Sequence, residues 1–224
     1  MKTIAKYWFL EGFNLFKKMG MPAMMKMCQQ LEMETIDKGD TIDLDQKNAK
    51  CIFFLKQGSV KIVDSESAVV KYVVKKGNIF GELSIYDKNT NAKEIAIALE
   101  DTVICYIESV LMEEMMDKHK TLKNGLLKIY GLRIQKLERR LQDLLYKDSK
   151  TRIEEFIIGY IEEFGEEKSS KLEAKNLLSH KDIANLTNTS RQTVNNVLST
   201  LRKEKKIDYD SNFISYSPNI LKIS

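Results

Sequence analysis

"LLSHKDIANLTNTSRQTVNNVLSTLRKEKKI", residues 177–207, is the stretch that decides the fold. Ser179 followed by Asp182 has the form of a capping arrangement, with Asp where Glu or Gln is usual. It opens a short helix that carries Ile183, Ala184 and Leu186. "TNT" breaks this helix, and Asn188 can take the left-handed conformation that glycine usually supplies. Ser190 caps a second helix, whose apolar stripe is Val194, Val197, Leu198 and Leu201. The small Ala184 lets the two helices cross closely. The opposite face of the second helix carries Arg191, Gln192, Asn195, Asn196 and Lys203. Arginine reads guanine through two hydrogen bonds, and Gln and Asn read adenine. Alone, such a face is what any solvated helix shows. With the cap, the turn and the small crossing residue, it predicts a helix-turn-helix with a reading face.

The stretch that follows, "KKIDYDSNFISYS" at 205–217, predicts two short strands around Asp210-Ser211-Asn212, a hairpin wing. Charge supports the assignment. Residues 179–224 hold seven basic and four acidic residues, a net of +3. Residues 148–178 hold five basic and eight acidic, a net of −3. The positive charge therefore sits on the module that would meet phosphates.

Upstream, Asp148 stands where a helix can begin, and "DSKTRIEEFIIGYIEEFG" carries a stripe of Ile153, Phe156, Ile157, Tyr160, Ile161 and Phe164. Residues 165–176 read as a polar, charged connection. Before Asp148 lies a long helical run, "TLKNGLLKIYGLRIQKLERRLQDLLYKD". Its apolar positions include Leu122, Leu126, Ile129, Ile134, Leu137, Leu141 and Leu144, and the later spacings fit the seam of a helix pair. Arg133, Lys136, Arg139 and Arg140 fill the rest of its surface. Such a stripe must be buried, on the helix's own domain or against a second copy. We expect both, with the second half pairing, and dimer contacts at Leu126, Ile129, Ile134, Leu137, Leu141 and Leu144.

Residues 33–108 change period. "METIDKGDTI", "CIFFLKQGSVKIV", "AVVKYVVKKGNIF", "EIAIALE" and "TVICYIE" are short β-branched and aromatic runs punctuated by Gly39, Gly58 and Gly77. They predict a barrel or a rolled double sheet. Residues 4–32 read as short helices, with apolar groups at Met21, Met24, Met25 and Cys28 in "MPAMMKMCQQL". The clustered methionines read as core filler rather than a metal site. The chain is thus α+β, with a first domain over 1–147 and a second over 148–224.

Composition sets the outer bounds. A chain of 224 residues holds two domains comfortably, and a net charge of +4 permits nucleic acid without demanding it. Cys28, Cys51 and Cys105 are far apart and form no metal-binding pair. We expect reduced thiols in a cytoplasmic protein. "MKTIAKYWFLEGFNLF" lacks the apolar core of a signal peptide, and no run is apolar enough to span a membrane. We find no nucleophile–base pair, no metal spacing and no Walker loop, and expect no enzyme.

This order of parts resembles the CRP/FNR family of bacterial transcription regulators. The resemblance covers nearly the whole chain and is carried by Gly77, by Gly81-Glu82-Leu83 and by "SRQTV" at 190–194. It implies a cyclic-nucleotide-binding-like β-roll, a dimerisation helix and a winged helix-turn-helix. It also implies a homodimer on promoter DNA with RNA polymerase as a further partner. In the cAMP-binding members the glutamate of Gly-Glu-Leu holds the ribose, and Glu82 matches it. The Arg-Ser pair that grips the cyclic phosphate is replaced by Ala92 and Lys93. The Thr-Ser pair that meets adenine is replaced by Leu137 and Glu138. A lost arginine removes a charge-assisted grip on phosphate, so we expect a regulator not controlled by cAMP. Control by a cyclic nucleotide stays as the alternative, with Gly81, Glu82, Leu83, Ala92, Lys93, Leu137 and Glu138 as the pocket in question. The chain has no N-terminal cysteine cluster for an iron–sulfur centre, and neither His119 nor His180 stands out as a haem ligand. No cofactor is predicted. The resemblance makes Arg191 the guanine reader, with Gln192, Asn195 and Asn196 beside it. Ser190, Thr193 and Lys203 are expected on phosphates.

Overall fold

In the computed structural model the chain forms two compact units, 1–136 and 137–224. The structure describes residues 19–46, 49–82, 94–168 and 171–217, together with Lys6, Tyr7, Leu10, Gly12, Phe13, Leu15 and Phe16.

In the first unit, helix α1 (Met21–Gln30) begins with a proline in its first turn, where no hydrogen-bonded N–H is lost. Its buried side is Met24, Met27 and Cys28. The expected stripe through Met21 and Met25 is corrected: Met21 is the first helical residue and stays 63% exposed, and Met25 is half-buried. Among the described residues nine strands follow: β1 (Glu32–Ile36), β2 (Thr41–Ile42), β3 (Asp45–Gln46), β4 (Ala49–Gln57), β5 (Ser59–Asp64), β6 (Val70–Lys75), β7 (Ile79–Phe80), β8 (Glu94–Ala98) and β9 (Thr102–Glu108). They pair antiparallel in two sheets, one ordered β1-β9-β4-β3 with β7 also on β4, the other β2-β8-β5-β6. This is the rolled double sheet that the short runs predict.

Strand β4 explains why "CIFFL" is apolar without alternation. Cys51, Phe53 and Leu55 face the roll interior with Val60, Ile62 and Ile104. Ile52 and Phe54 face the opposite way, into a cluster with Phe16, Met27, Met112 and Leu122. A strand buried on both faces reads as a continuous apolar run. Phe53 stacks on Phe80 at 4.9 Å between ring centres, filling the interior.

Helices α2 (Ser109–Lys118) and α3 (Lys120–Tyr146) close the unit. Leu122 and Leu126 are wholly buried in this unit's own core, with Ile129 half-buried against it. Leu126 is therefore corrected from dimer seam to core. A stripe at helical spacing looks the same in sequence whichever surface covers it. Further along α3 the apolar side chains are open: Ile134 is 56% exposed, Leu137 60% and Leu141 58%.

The second unit continues α3 and adds α4 (Ser149–Phe164), β10 (Glu166–Lys168), β11 (Lys171–Lys175), α5 (His180–Thr187), α6 (Arg191–Lys203), β12 (Ile207–Tyr209) and β13 (Phe213–Tyr216). Asp148 caps α4, accepting from the Thr151 N–H at 2.7 Å; that bond holds its carboxyl below the usual carboxylate range. Ile153, Ile157, Tyr160 and Ile161 are buried as the stripe predicts. The connection expected at 165–176 is corrected. It contains β10 and β11, and β11 pairs with β13, so the wing is part of a sheet ordered β10-β11-β13-β12. These strands are nearly all polar, and only Ala174 among them is buried, which hides the strand period.

Candidate nucleic-acid interface and effector pocket

The helix-turn-helix is built by local bonds. The Asp182 N–H donates to Ser179 Oγ at 3.1 Å, and the Ser179 N–H donates to Asp182 Oδ2 at 2.9 Å, a complete capping box. Asn188 is left-handed at φ 51°, and the Thr189 N–H reaches back to the Ala184 carbonyl at 2.9 Å. Ser190 Oγ caps α6 by accepting from the Thr193 N–H at 3.0 Å. Val194, Val197, Leu198 and Leu201 are all buried.

The remaining face of α6 is divided. Arg191, Gln192, Asn196 and Lys203 are exposed. Gln192 Nε2 donates to Asn196 Oδ1 at 3.1 Å, so these two amide side chains lie together one turn apart. Ser190 and Thr193 share a hydroxyl contact at 2.8 Å at the helix start. Asn195 is half-buried, and its Oδ1 meets His180 Nδ1 at the start of α5. The structure thus sets Arg191, Gln192 and Asn196 on the open face, and Asn195 against the helix behind it. Lys168 lies over the half-exposed Phe213 ring at 5.1 Å on the wing sheet.

In the first unit, Gly81 has φ +75°, and a Cβ there would stand 2.7 Å from the Cys51 carbonyl oxygen. Glycine is required at this turn. The turn carries Glu82 into the interior, where it is 1% exposed. Its carboxylate is ion-paired with the Arg133 guanidinium from α3. That guanidinium lies over the Tyr72 ring at 4.2 Å. Burial pushes the Tyr72 phenol up to about 12, against the opposing pull of Arg133, so the ring stays neutral beneath the cation. The Tyr130 hydroxyl donates to the Glu82 carbonyl at 2.7 Å. Of the expected pocket, Leu83, Ala92 and Lys93 lie outside the described residues. Leu137 and Glu138 are exposed and belong to the second unit. Sequence reasoning leaves Arg133 among the surface residues of a helix. The signal available was indirect: a buried glutamate needs a cation, and Arg133 follows Tyr130 by one turn on the same face.

Among the described residues no cluster of His, Cys, Asp and Glu could hold a metal ion, and no helix is long and apolar enough to cross a membrane.

Residues 33–119 match the cyclic nucleotide-binding domain family, and residues 151–217 match the Crp-like helix-turn-helix domain family. A CRP-like cAMP-activated global transcriptional regulator of Mycobacterium tuberculosis is 22% identical over 193 residues, covering 84% of this chain and 85% of that protein. A global nitrogen regulator of Nostoc sp. is 24% identical over 200 residues, covering 87% and 86%. Among solved structures, FixK2 of Bradyrhizobium japonicum superposes with a TM-score of 0.71 at 14% identity, covering 86% of this chain and 94% of that one. A CooA mutant of Carboxydothermus hydrogenoformans gives 0.67 at 19% identity, covering 87% of each. These superpositions show the shared fold. A cyclic nucleotide-binding domain followed by a Crp-like helix-turn-helix domain, with curated regulators matched along most of the chain, gives the lineage: the chain belongs to the CRP/FNR family of bacterial transcription regulators.

Proposed function

We propose that the protein is a cytoplasmic homodimer that reads a near-palindromic promoter site and is not controlled by cAMP. The observation that carries the DNA reading is the open face of α6, where Arg191, Gln192 and Asn196 stand exposed on a helix capped by Ser190. Two such helices in a dimer lie about one DNA turn apart, which makes the two half-sites inverted copies. Arg191 takes a guanine, and Gln192 and Asn196 favour adenine beside it. Asn195 joins them on release from His180. Ser190, Thr193 and Lys203 meet phosphates, and RNA polymerase is the further partner that the family implies. The functional boundary falls near 147, between the end of α3 and the Asp148 cap.

The test is binding to promoter DNA across a salt series. Affinity is expected to fall steeply with salt, as it does when lysines and arginines displace counterions. Arg191→Ala is expected to lose about 1–3 kcal/mol of discrimination at one base pair per half-site. Equal weakening on every sequence would make Arg191 a phosphate contact, and salt-insensitive binding would sink the reading.

The effector reading rests on Glu82, whose carboxylate is already ion-paired inside the roll. A ribose hydroxyl would have to displace Arg133. Calorimetry with cAMP and cGMP is expected to show no binding in the micromolar range, roughly −8 kcal/mol. Micromolar heats from either would favour cyclic-nucleotide control instead.

A further inference from the structure

Two arginines outside the reading helix grip the carbonyl end of the helix before it. Arg140, near the end of α3, donates Nη2 to the Asn185 carbonyl at 3.2 Å. Arg152, in the first turn of α4, donates Nε to the Thr187 carbonyl at 3.1 Å and Nη2 to the Asn188 carbonyl at 3.2 Å. Its remaining nitrogen, Nη1, donates to the Lys147 carbonyl at 2.7 Å. The last carbonyls of a helix lack partners within it and carry its negative dipole end, so a guanidinium is well suited to them. Burial draws the Arg140 pKa down from its ordinary value, yet arginine stays charged at any physiological pH.

The motif does not need these bonds to exist. It has its own capping box, its own left-handed Asn188 and its own apolar contacts through Ile183 and Leu186. What the arginines add is a fixed tie from the turn to α3 and to the α3–α4 junction. All three bonds to the motif end on residues 185–188, just before Ser190 starts the reading helix. Arg140 is also the immediate neighbour of Leu141 on α3, whose apolar face stands open.

We propose that Arg140 and Arg152 are positioning residues for DNA recognition: together they set the angle at which α6 leaves the turn, and Arg140 ties that angle to the rotation of α3. The proposal rests on the DNA reading above. It makes preference for the specific site over random DNA depend on residues that touch neither base nor phosphate.

The experiment compares full-length wild type with Arg140→Gln, Arg152→Gln and the conservative Arg140→Lys and Arg152→Lys. Hydrogen exchange of the segment 184–190 is measured without DNA. Affinity is measured for a specific site and for random duplex. In the glutamine variants the turn is expected to exchange about tenfold faster, the effect of losing one or two hydrogen bonds. The ratio of specific to non-specific affinity is expected to fall by about tenfold, with non-specific affinity and sedimentation unchanged. The lysine variants should recover part of both, since they keep the charge and lose the fork. Unchanged exchange at the turn in both glutamine variants would overturn the proposal, whatever happens on DNA. So would equal loss of specific and non-specific affinity with a lowered melting temperature, the mark of a merely structural role. If the wild type itself bound no DNA, the functional reading would fall instead, and the exchange measurement would still decide whether the arginines hold the turn.

Discussion

Replacing Leu137 and Leu141 together by glutamate is expected to turn the protein into a monomer and to weaken promoter binding by at least about a hundredfold, the order expected when a near-palindromic contact is reduced to half-sites. Both leucines are more than half exposed, at 60% and 58%, and Leu145 beyond them is 67% exposed. A row of large apolar side chains along one helix face is what a helix pair buries. Full burial of a leucine contributes about 1.5–3 kcal/mol, and a twofold interface counts each residue twice. Since about three-fifths of each side chain is left to bury, removing two per protomer takes roughly 4–7 kcal/mol from association, and glutamates facing each other add repulsion. Because the side chains touch solvent in a single chain, the helix itself should survive, and circular dichroism should be unchanged. Sedimentation equilibrium reads the outcome. A variant that stays dimeric with wild-type promoter affinity would place the dimer contact elsewhere.

What could be read in advance divides along the range of the interactions. The helix-turn-helix was legible because its determinants are neighbours in sequence. Ser179 with Asp182, Asn188 at the turn, Ser190 at the cap and the four buried residues of α6 each act within a few positions. The rolled sheets were legible as a class, since short β-branched runs between glycines leave few alternatives. Strands β10 and β11 were not, because nearly every residue in them is polar and β11, on which β10 pairs, is itself held by β13, some forty residues along the chain. Leu126 was misassigned for a related reason. A stripe shows that a helix is covered, not by what, and Leu126 packs with Phe16 and Phe54 from distant segments. Arg133 carried only the indirect mark of its spacing from Tyr130. Its partner Glu82 and its platform Tyr72 stand on two other elements, and only the fold brings the three together.

That three-residue arrangement makes the second large prediction. Arg133→Met is expected to destabilise the first unit by about 3–5 kcal/mol, because it leaves the Glu82 carboxylate buried without its cation. Replacing both members, Glu82→Met with Arg133→Met, is expected to recover most of that loss, since well-packed apolar groups of similar volume often match a buried pair. A chain of two units need not unfold in one step, so the measurement is hydrogen exchange of the β4 and β9 amides, whose protection reports on the roll alone. The pattern across the variants separates two uses of Glu82. If the single change is severe and the double change is mild, the pair is internal scaffolding, and the acid that elsewhere in the family meets a ribose is occupied by the protein's own arginine. If Arg133→Met costs less than about 1 kcal/mol, the carboxylate does not depend on Arg133, and a ligand hydroxyl could take its place without penalty. The Ala92-Lys93 replacement of the phosphate-gripping Arg-Ser pair, which the family resemblance implies, and the capture of Glu82 by Arg133 would then no longer point the same way, and the expectation of no cyclic-nucleotide control would rest on that replacement alone.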